Sequence, residues 1–462
     1  MGRASCPGCR ALRRRVAELE AVVRDLQAQL GRHAGNSSVP PSANPPAAPK
    51  PVVKEPTGRP PGGQPGHAPC VRVRLPAERV QQVIDHLPTT CRVCQHPLPA
   101  EPGPTDPQPT WHQVAELPPL AAVVTEHRGH CRTCPHCGAR THRPIPAAVR
   151  ARGFGPRLTA AMTYLSGARH DSKRGVEEVV ETLFGVPVSL GSVAAAEQEM
   201  AAALGVAHAE AVAAVRAAPV KGVDETGWKK FGRLCWLWTA VAETVTCFQV
   251  HARRGFDGLR ALLGDDPGGV VVSDRWSVYN RVPVRRRQLC WAHLKRDFQA
   301  MVDRGGPAAA IGNELLCFVE DLFVCWHRIR DQTRDRGTLR RNIAELRPAV
   351  REVLERGTVC GCAKTEVVCT HLLALEPALW TFARAEGVEP TNNAAERAVR
   401  PAVLWRRRSF GCHSEVGCRF VERILTVGQT LRRQARPVFD FLAEAITAHR
   451  LGQPAPRLLP TG

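Results

Sequence analysis

Residues 219–274 read PVKGVDETGWKKFGRLCWLWTAVAETVTCFQVHARRGFDGLRALLGDDPGGVVVSD. PVKGVDE, LCWLWTAV and TCFQVHA are short runs rich in Val, Leu, Trp, Phe and Thr, the make-up of strands. GFDGLRALL has helical apolar spacing, and GGVVVSD is a fourth strand. Past this stretch, QLC (288–290) offers a fifth strand and WAHLKRDFQAMV (291–302) a helix. The order is β-β-β-α-β-(β)-α. On this reading Asp224 ends the first strand and Asp274 the fourth. A carboxylate placed after an apolar strand projects from the sheet edge, where α/β folds bind ligands.

That order is the one of a ribonuclease-H-like core, in which strands one and four are neighbours. Asp224 and Asp274, 50 residues apart, are then expected to face each other. Glu396 lies 122 residues further on, in TNNAAERAVR, read as a short helix ended by Pro401 that can close over the same edge. Three carboxylates suit phosphodiester chemistry. Cleavage at neutral pH needs an activated water and a stabilised leaving oxygen, which two Mg²⁺ (or Mn²⁺) ions roughly 3.5–4 Å apart supply. Mg²⁺ takes oxygen ligands and keeps several waters, so a few carboxylates suffice. Asp224, deepest in the sheet, is the expected bridging ligand. Rival readings exist for each residue. An Asp after a strand also serves as a turn residue or N-cap. Asn393-Ala-Ala-Glu396 also reads as a capping box, with Glu396 reaching back to a main-chain amide.

The chain has 462 residues, room for about three domains. Hydrophobic residues make up 44%, so most of it is expected to fold. No run approaches the roughly 18–20 apolar residues of a membrane span. The start, MGRASCPGCRALRRR, lacks the apolar core of a signal peptide, so a cytoplasmic protein is expected. The net charge of +20, carried mostly by Arg, favours a polyanionic partner such as nucleic acid. A GC-rich genome also inflates Arg, Ala and Pro, which is the plainer account of the same numbers.

Residues 1–35 hold a heptad over 11–31. Leu12, Val16, Leu19, Val23, Leu26 and Leu30 alternate spacings of four and three. Val at a with Leu at d favours a parallel two-stranded coil, with Arg15 at g facing Glu20 at the next e. A single amphipathic helix packed on its own domain is the other reading. Residues 36–69 are dense in Pro, Gly and Ser and read as an extended linker. Residues 70–145 carry short strand-like runs and two pairs, Cys91-x-x-Cys94 and Cys134-x-x-Cys137. Four thiolates from two such pairs make a closed, structural zinc site. The 39 residues between the pairs exceed the usual gap, and Cys131-x-x-Cys134 is a rival spacing. A thioredoxin-like redox pair lacks its βαβ surround here.

Residues 150–215 read as helices. RLTAAMTYLSGA is one, GVEEVVETLFG ends at Gly185, and Ser189 caps a third. Two helices about a Gly-containing turn suit either a DNA-binding helix-turn-helix or an ordinary hairpin. The catalytic segment is expected over 218–435, with an Arg-rich helical insertion over about 305–385, a long helix over 414–434 and a C-terminal segment at 436–462. His293 follows Asp274 and is read as structural, with a metal- or phosphate-facing role as the alternative. Arg397, Arg400, Arg406, Arg407 and Arg408 are expected phosphate contacts, which position DNA without reading it. A solvated charge run is the rival for the last three. Cys6 and Cys9 form a lone pair with no expected role, and Cys360, Cys362 and Cys369 read as buried thiols.

EGVEPTNNAAERAVRPAVLWRRRSFG resembles the final-carboxylate segment of insertion sequence 66 family transposases. VDETGW resembles that family's first-aspartate segment, SDRWSVYN its second, and QLCWAHLKRDF the motif after it. GNSSVPPS, RPPGGQPGH and VAELPPLAAVVTEHRGHCRTCPHCG resemble its linker and zinc-binding region, and the heptad sits where the family has a zipper. The resemblance implies that Asp224, Asp274 and Glu396 form a DDE triad in a ribonuclease-H-like domain. It restores Cys91, Cys94, Cys134 and Cys137 as Zn²⁺ ligands. It also implies a bacterial mobile element with terminal inverted repeats and two small accessory proteins. The expectation is therefore a multidomain α+β transposase, a homodimer or higher oligomer through 11–31. It would bind double-stranded DNA at the element's ends and at the target, and cut and join strands with divalent metal. The alternatives are a transposase-derived DNA-binding regulator that does not cut, and a nuclease without strand transfer.

Overall fold

A computed structural model describes residues 73–101 and 103–460 and, before them, residues 12, 14–16, 18, 19, 23, 26, 27, 30–37 and 45. The chain divides into two units, Pro49–Ala121 and the remainder. The expected linker at 36–69 lies almost wholly outside the described residues, as do Cys6, Cys9 and Glu20. Leu12, Val16, Leu19, Val23, Leu26 and Leu30 have helical backbone and are all exposed.

The described residues of the unit Pro49–Ala121 are mainly irregular chain. Thr90 bridges Pro97, and Gln113 clasps the main chain of Leu75 at 2.8 and 3.1 Å. In the other unit a small hairpin, β1 (Cys131–Thr133) and β2 (Arg140–His142), and a single helical turn at Ala147–Arg150 precede four longer helices. These are α1 (Pro156–Thr163), α2 (Lys173–Phe184), α3 (Leu190–Ala203) and α4 (Gly205–Ala217). The caps are the expected ones. Gly185 ends α2 with φ of 64°, and Ser189 Oγ accepts the Ser192 amide at 3.1 Å. Met162, Val176, Val180, Val193 and Ala196 form a small core among them.

The main sheet contains β3 (Val220–Lys230), β4 (Arg233–Val241), β5 (Thr246–His251), β6 (Val270–Ser273) and β7 (Arg287–Leu289), in the order β5-β4-β3-β6-β7. β3, β4 and β5 pair antiparallel, whereas β6 runs parallel to both β3 and β7. The first and fourth strands of this sheet are therefore neighbours. One boundary differs from the sequence reading. β3 does not end at Asp224 but continues to Lys230, paired to Arg233 across Phe231-Gly232. Both turn residues have positive φ, 51° and 73°, the two-residue hairpin geometry that matches strand twist. Phe at the first position hides that turn from a search for Asn-Gly.

α5 (Phe256–Leu263) crosses from β5 to β6, and α6 (Trp291–Arg304) follows β7. Next come α7 (Gly306–Arg330), α8 (Arg336–Gly357) and α9 (Ala363–Ala374), the helical insertion. They share a core with α6 that includes Leu294, Phe298, Leu315, Val319, Leu339 and Leu372. α10 (Asn393–Ser409), α11 (Glu415–Arg433) and α12 (Val438–Leu451) complete the chain. Trp228, Leu237, Phe248, Trp405, Phe420 and Ile424 belong to the core beneath the sheet. Each such large apolar side chain contributes on the order of 1.5–3 kcal/mol by leaving water.

α10 corrects a second boundary, since the helix runs through Pro401 instead of stopping there. The lost amide bond is offset by packing, with Ala398, Val399, Ala402 and Trp405 buried on either side. Of the three insertion thiols, Cys369 is buried, but Cys360 and Cys362 are only half-buried. No single helix among the described residues is long and apolar enough to cross a membrane.

Candidate active site

Parallel pairing of β3 with β6 matches Val220 to Val270, Lys221 to Val271 and Gly222 to Val272. Asp224 and Asp274 each lie two residues past the last matched pair, side by side where β6 ends. α10 delivers Glu396 in its first turn and packs on β3. The approach is close. A Cβ on Gly222 would lie 2.5 Å from Asn392 Oδ1 and 3.5 Å from Ala395 Cβ. The buried Asn392 Nδ2 donates to the Val223 carbonyl at 2.7 Å, pinning the start of α10 one residue before Asp224.

Burial drives the Asp224 carboxyl well above the usual range. The charge of Glu225 adds to the effect, and Asp274 and Glu396 push the same way. Four acids thus share one electrostatic neighbourhood. Asp224 Oδ1 accepts the Glu225 amide and Asp274 Oδ1 the Trp276 amide, both at 2.9 Å. Each contact uses one oxygen of its carboxylate. Arg287, buried in β7, donates to the Asp274 carbonyl at 2.8 Å and to Asn280 Oδ1 at 2.7 Å. Burial lowers its pKa to about 10.

Glu396 does not form the rival capping box. Asn392 is the N-cap, and the Glu396 side chain turns to α6 instead. Its Oε1 lies 3.4 Å from His293 Nδ1, and its Oε2 lies 3.9 Å from Arg296 Nη2. Glu396 Oε1 and His293 Nδ1 are both buried without a hydrogen-bond partner. Ligand atoms of Cys290, His293 and Glu396 lie within 4.8 Å of one another. His293, read from sequence as structural, is therefore brought to Glu396. The Cys290 thiol is pushed up to about 11 by burial, so it is neutral at pH 7. A buried, like-charged Asp224, with the buried Glu396 Oε1 and His293 Nδ1 lacking hydrogen-bond partners, fits a divalent cation.

Sequence reasoning missed the support around the triad. Glu225 is held by Tyr279 Oη at 2.5 Å and by Arg254 Nη2 at 2.7 Å and Nε at 3.0 Å. Arg254 is sandwiched between Trp236 and Trp276, 4.7 and 4.2 Å from the ring centres. The second acid of VDETGW was the available signal for this layer. Among the arginines of α10, Arg397, Arg400, Arg407 and Arg408 are exposed, and Arg408 lies 3.6 Å from Asp171 Oδ1. Arg406 differs, because its Nη1 donates to Thr226 Oγ1 at 3.1 Å and to the Gly227 carbonyl. It straps α10 to β3.

The cysteine pairs fall in different units, and each forms the same local turn. Gln95 donates to the Cys91 carbonyl at 3.0 Å, and the Cys91 amide donates to His96 O at 2.9 Å. Gly138 and Ala139 serve Cys134 likewise at 2.9 and 2.8 Å. Gln95 and Gly138 take positive φ, 59° and 73°. Main-chain amides point at the first sulfur of each turn and lower its pKa, from Cys94 and Val93 at Cys91 and from Cys137 and His136 at Cys134. Cys131 instead lies on β1.

Comparison with known proteins adds the family. The family described as Transposase IS66 family matches residues 152–419. Two similar proteins of Sinorhizobium fredii (strain NBRC 101917 / NGR234) are both uncharacterized. The protein y4qI is 26% identical over 250 residues, 48% of this chain and 44% of that protein. The protein y4hP is 24% identical over 394 residues, 76% of this chain and 69% of that protein. The match to y4qI thus takes in less than half of that relative's length. Matched to the family over more than half its length, across a stretch that includes Asp224, Asp274, His293 and Glu396, the chain belongs to the transposase IS66 family.

Proposed function

We propose that this transposase-family protein binds the ends of a bacterial insertion sequence, cleaves DNA there and joins the freed strand to a target. The observation that carries the proposal is that Asp224, level with Asp274 across the parallel β3–β6 pair, feels the charges of both Asp274 and Glu396. The β5-β4-β3-β6-β7 order supports reading the sheet as ribonuclease-H-like. Asp224, Asp274 and Glu396 would hold Mg²⁺ or Mn²⁺. Bound there, the metal supplies an activated water and a stabilised leaving oxygen. The chain's own part is positioning. Tyr279 and Arg254 hold Glu225 next to Asp224, Arg287 fixes the Asp274 main chain, and His293 stands 3.4 Å from Glu396. Arg397, Arg400 and Arg407 then contact phosphates along α10, whereas Arg406 is structural.

The same reading assigns structural Zn²⁺ to Cys91, Cys94, Cys134 and Cys137. Amides aimed at the first sulfur of each turn support it, because they stabilise the thiolate that a metal requires. Elemental analysis should find zinc in the purified protein, and its absence would remove this assignment. Residues 150–215 would bind the element's ends, acting on DNA in the cytoplasm with two small accessory proteins.

The deciding assay uses purified protein, Mg²⁺ or Mn²⁺, and DNA carrying the element's ends. Nicked and joined products are expected. Asp224→Asn should abolish them with DNA binding retained. Binding without cutting, in the wild type, would support a regulator, and cutting without joining would support a nuclease.

A further inference from the structure

Away from the carboxylates, the helical insertion meets the approach to β7 around a cavity of about 350 Å³. Ile343 and Trp380 are buried in its wall, and Arg285, Arg340, Arg347 and Arg384 surround it. The four arginines are not equivalent. Arg347 is neutralised, because its Nε and Nη2 donate to Glu376 Oε1 and Oε2 at 2.5 and 2.7 Å. Trp380 Nε1 donates to the same carboxylate at 2.9 Å, which fixes the wall to this pair.

Arg340 and Arg384 are also held, but by uncharged groups. Arg340 Nε donates to the Ala383 carbonyl at 3.3 Å. Arg384 Nη2 donates to the Arg285 carbonyl at 2.7 Å and to Thr381 Oγ1 at 3.0 Å. A carbonyl orients a guanidinium without cancelling its charge. Among the described residues, no carboxylate pairs with Arg285, Arg340 or Arg384 within 4.0 Å. Three cations thus converge on one cavity, two of them with part of the donor fork already fixed and the rest free. A fixed fork with free donors is the geometry that recognises phosphate bidentately, at reduced entropic cost.

We propose that this cavity is a second phosphate-binding site, taking the phosphodiester backbone of DNA bound by the protein. The inference rests on the functional reading above. Each phosphodiester carries one negative charge, so three uncompensated cations suit successive phosphates of a strand better than a single small anion. The site positions DNA without reading its sequence.

The test is Arg340→Gln combined with Arg384→Gln in the full-length chain, read by fluorescence anisotropy on a labelled duplex across a salt series. Both side chains are exposed, so losing their carbonyl contacts should lower the melting temperature by no more than a few degrees, and a cooperative melt reports an intact fold. Affinity at about 0.1 M salt should fall roughly tenfold. The plot of log affinity against log salt should become shallower by about 1 to 2, near the charge removed. Arg351→Gln, which unpairs an exposed Glu355 on the same helix, should change neither value. If the double variant matches wild type in affinity and slope while wild type binds DNA, the site is overturned and the functional reading stands. A double variant that loses only inorganic phosphate binding marks a small-anion site and also overturns the proposal. A wild-type protein that binds no duplex overturns the functional reading, and this site with it.

Discussion

Asp224 is a buried carboxylate whose neighbouring charges share its sign. Such a group costs stability when ionised, because burial removes water and Glu225, Asp274 and Glu396 repel it. The direction with pH follows. A carboxyl whose pKa is raised on folding binds more protons folded than unfolded, so stability falls as pH rises from the ordinary carboxylate range through the raised value. In chelator at pH 8, Asp224→Asn should therefore melt a few degrees above wild type, and the gap should narrow on acidification. Adding Mn²⁺ should raise the wild-type melting temperature and leave the variant almost unmoved. Thermal melts in the two conditions check this, and a variant less stable than wild type in chelator would contradict it. How this site could be read from sequence is plain at the residue scale. The 50-residue spacing of Asp224 and Asp274 equals the offset of the β3–β6 register, Val220 against Val270. Glu225, Tyr279 and Arg254 escaped because their contacts span 54 and 29 residues with no local pattern to announce them.

Between elements, a close tolerance that bears on the site is where α10 crosses β3. Pro401 reads locally as a stop, since proline in a helix interior costs about 3 kcal/mol. What sequence periodicity does not weigh is the tertiary packing of Trp405 and Ala402, which carries the helix on to Ser409. The continuation matters, because it brings Arg406 back to Thr226 and Gly227 and so ties the far end of α10 to the strand that holds Asp224. At the near end the spacing depends on Gly222. A methyl group there would meet Asn392 Oδ1 at 2.5 Å, and Asn392 is itself held by Val223, leaving little room to yield. Gly222→Ala should displace the first turn of α10, and Glu396 with it. A displacement of about 1 Å at reacting groups costs on the order of 100-fold. Cleavage should fall by about that factor, with affinity for the duplex unchanged. Full cleavage by this variant would show that the helix start has freedom the packing denies.

For the whole molecule, the unexplained surface is the N-terminal stripe. Leu12, Val16, Leu19, Val23, Leu26 and Leu30 are each at least 49% exposed, all with helical backbone and in a heptad. An apolar line of this length in water is unfavourable unless covered, and Val at a with Leu at d fits a second copy in parallel. The coil would join two protomers, and on the proposed function two protomers would present two end-binding surfaces as one particle, raising the effective concentration of the second end without any new DNA contact. Leu19→Lys with Val23→Lys puts charge into the seam at both position types. Sedimentation velocity should give a dimer or larger assembly for wild type and a monomer for the variant. The melting temperature should hold, since these residues lie outside the core that contains the main sheet. In the strand-transfer assay the variant should still nick a DNA carrying one end, yet lose products that need both ends together. A variant that keeps the wild-type mass would show that the stripe is not the seam. One that becomes monomeric but still joins paired ends would show that synapsis does not depend on the coil.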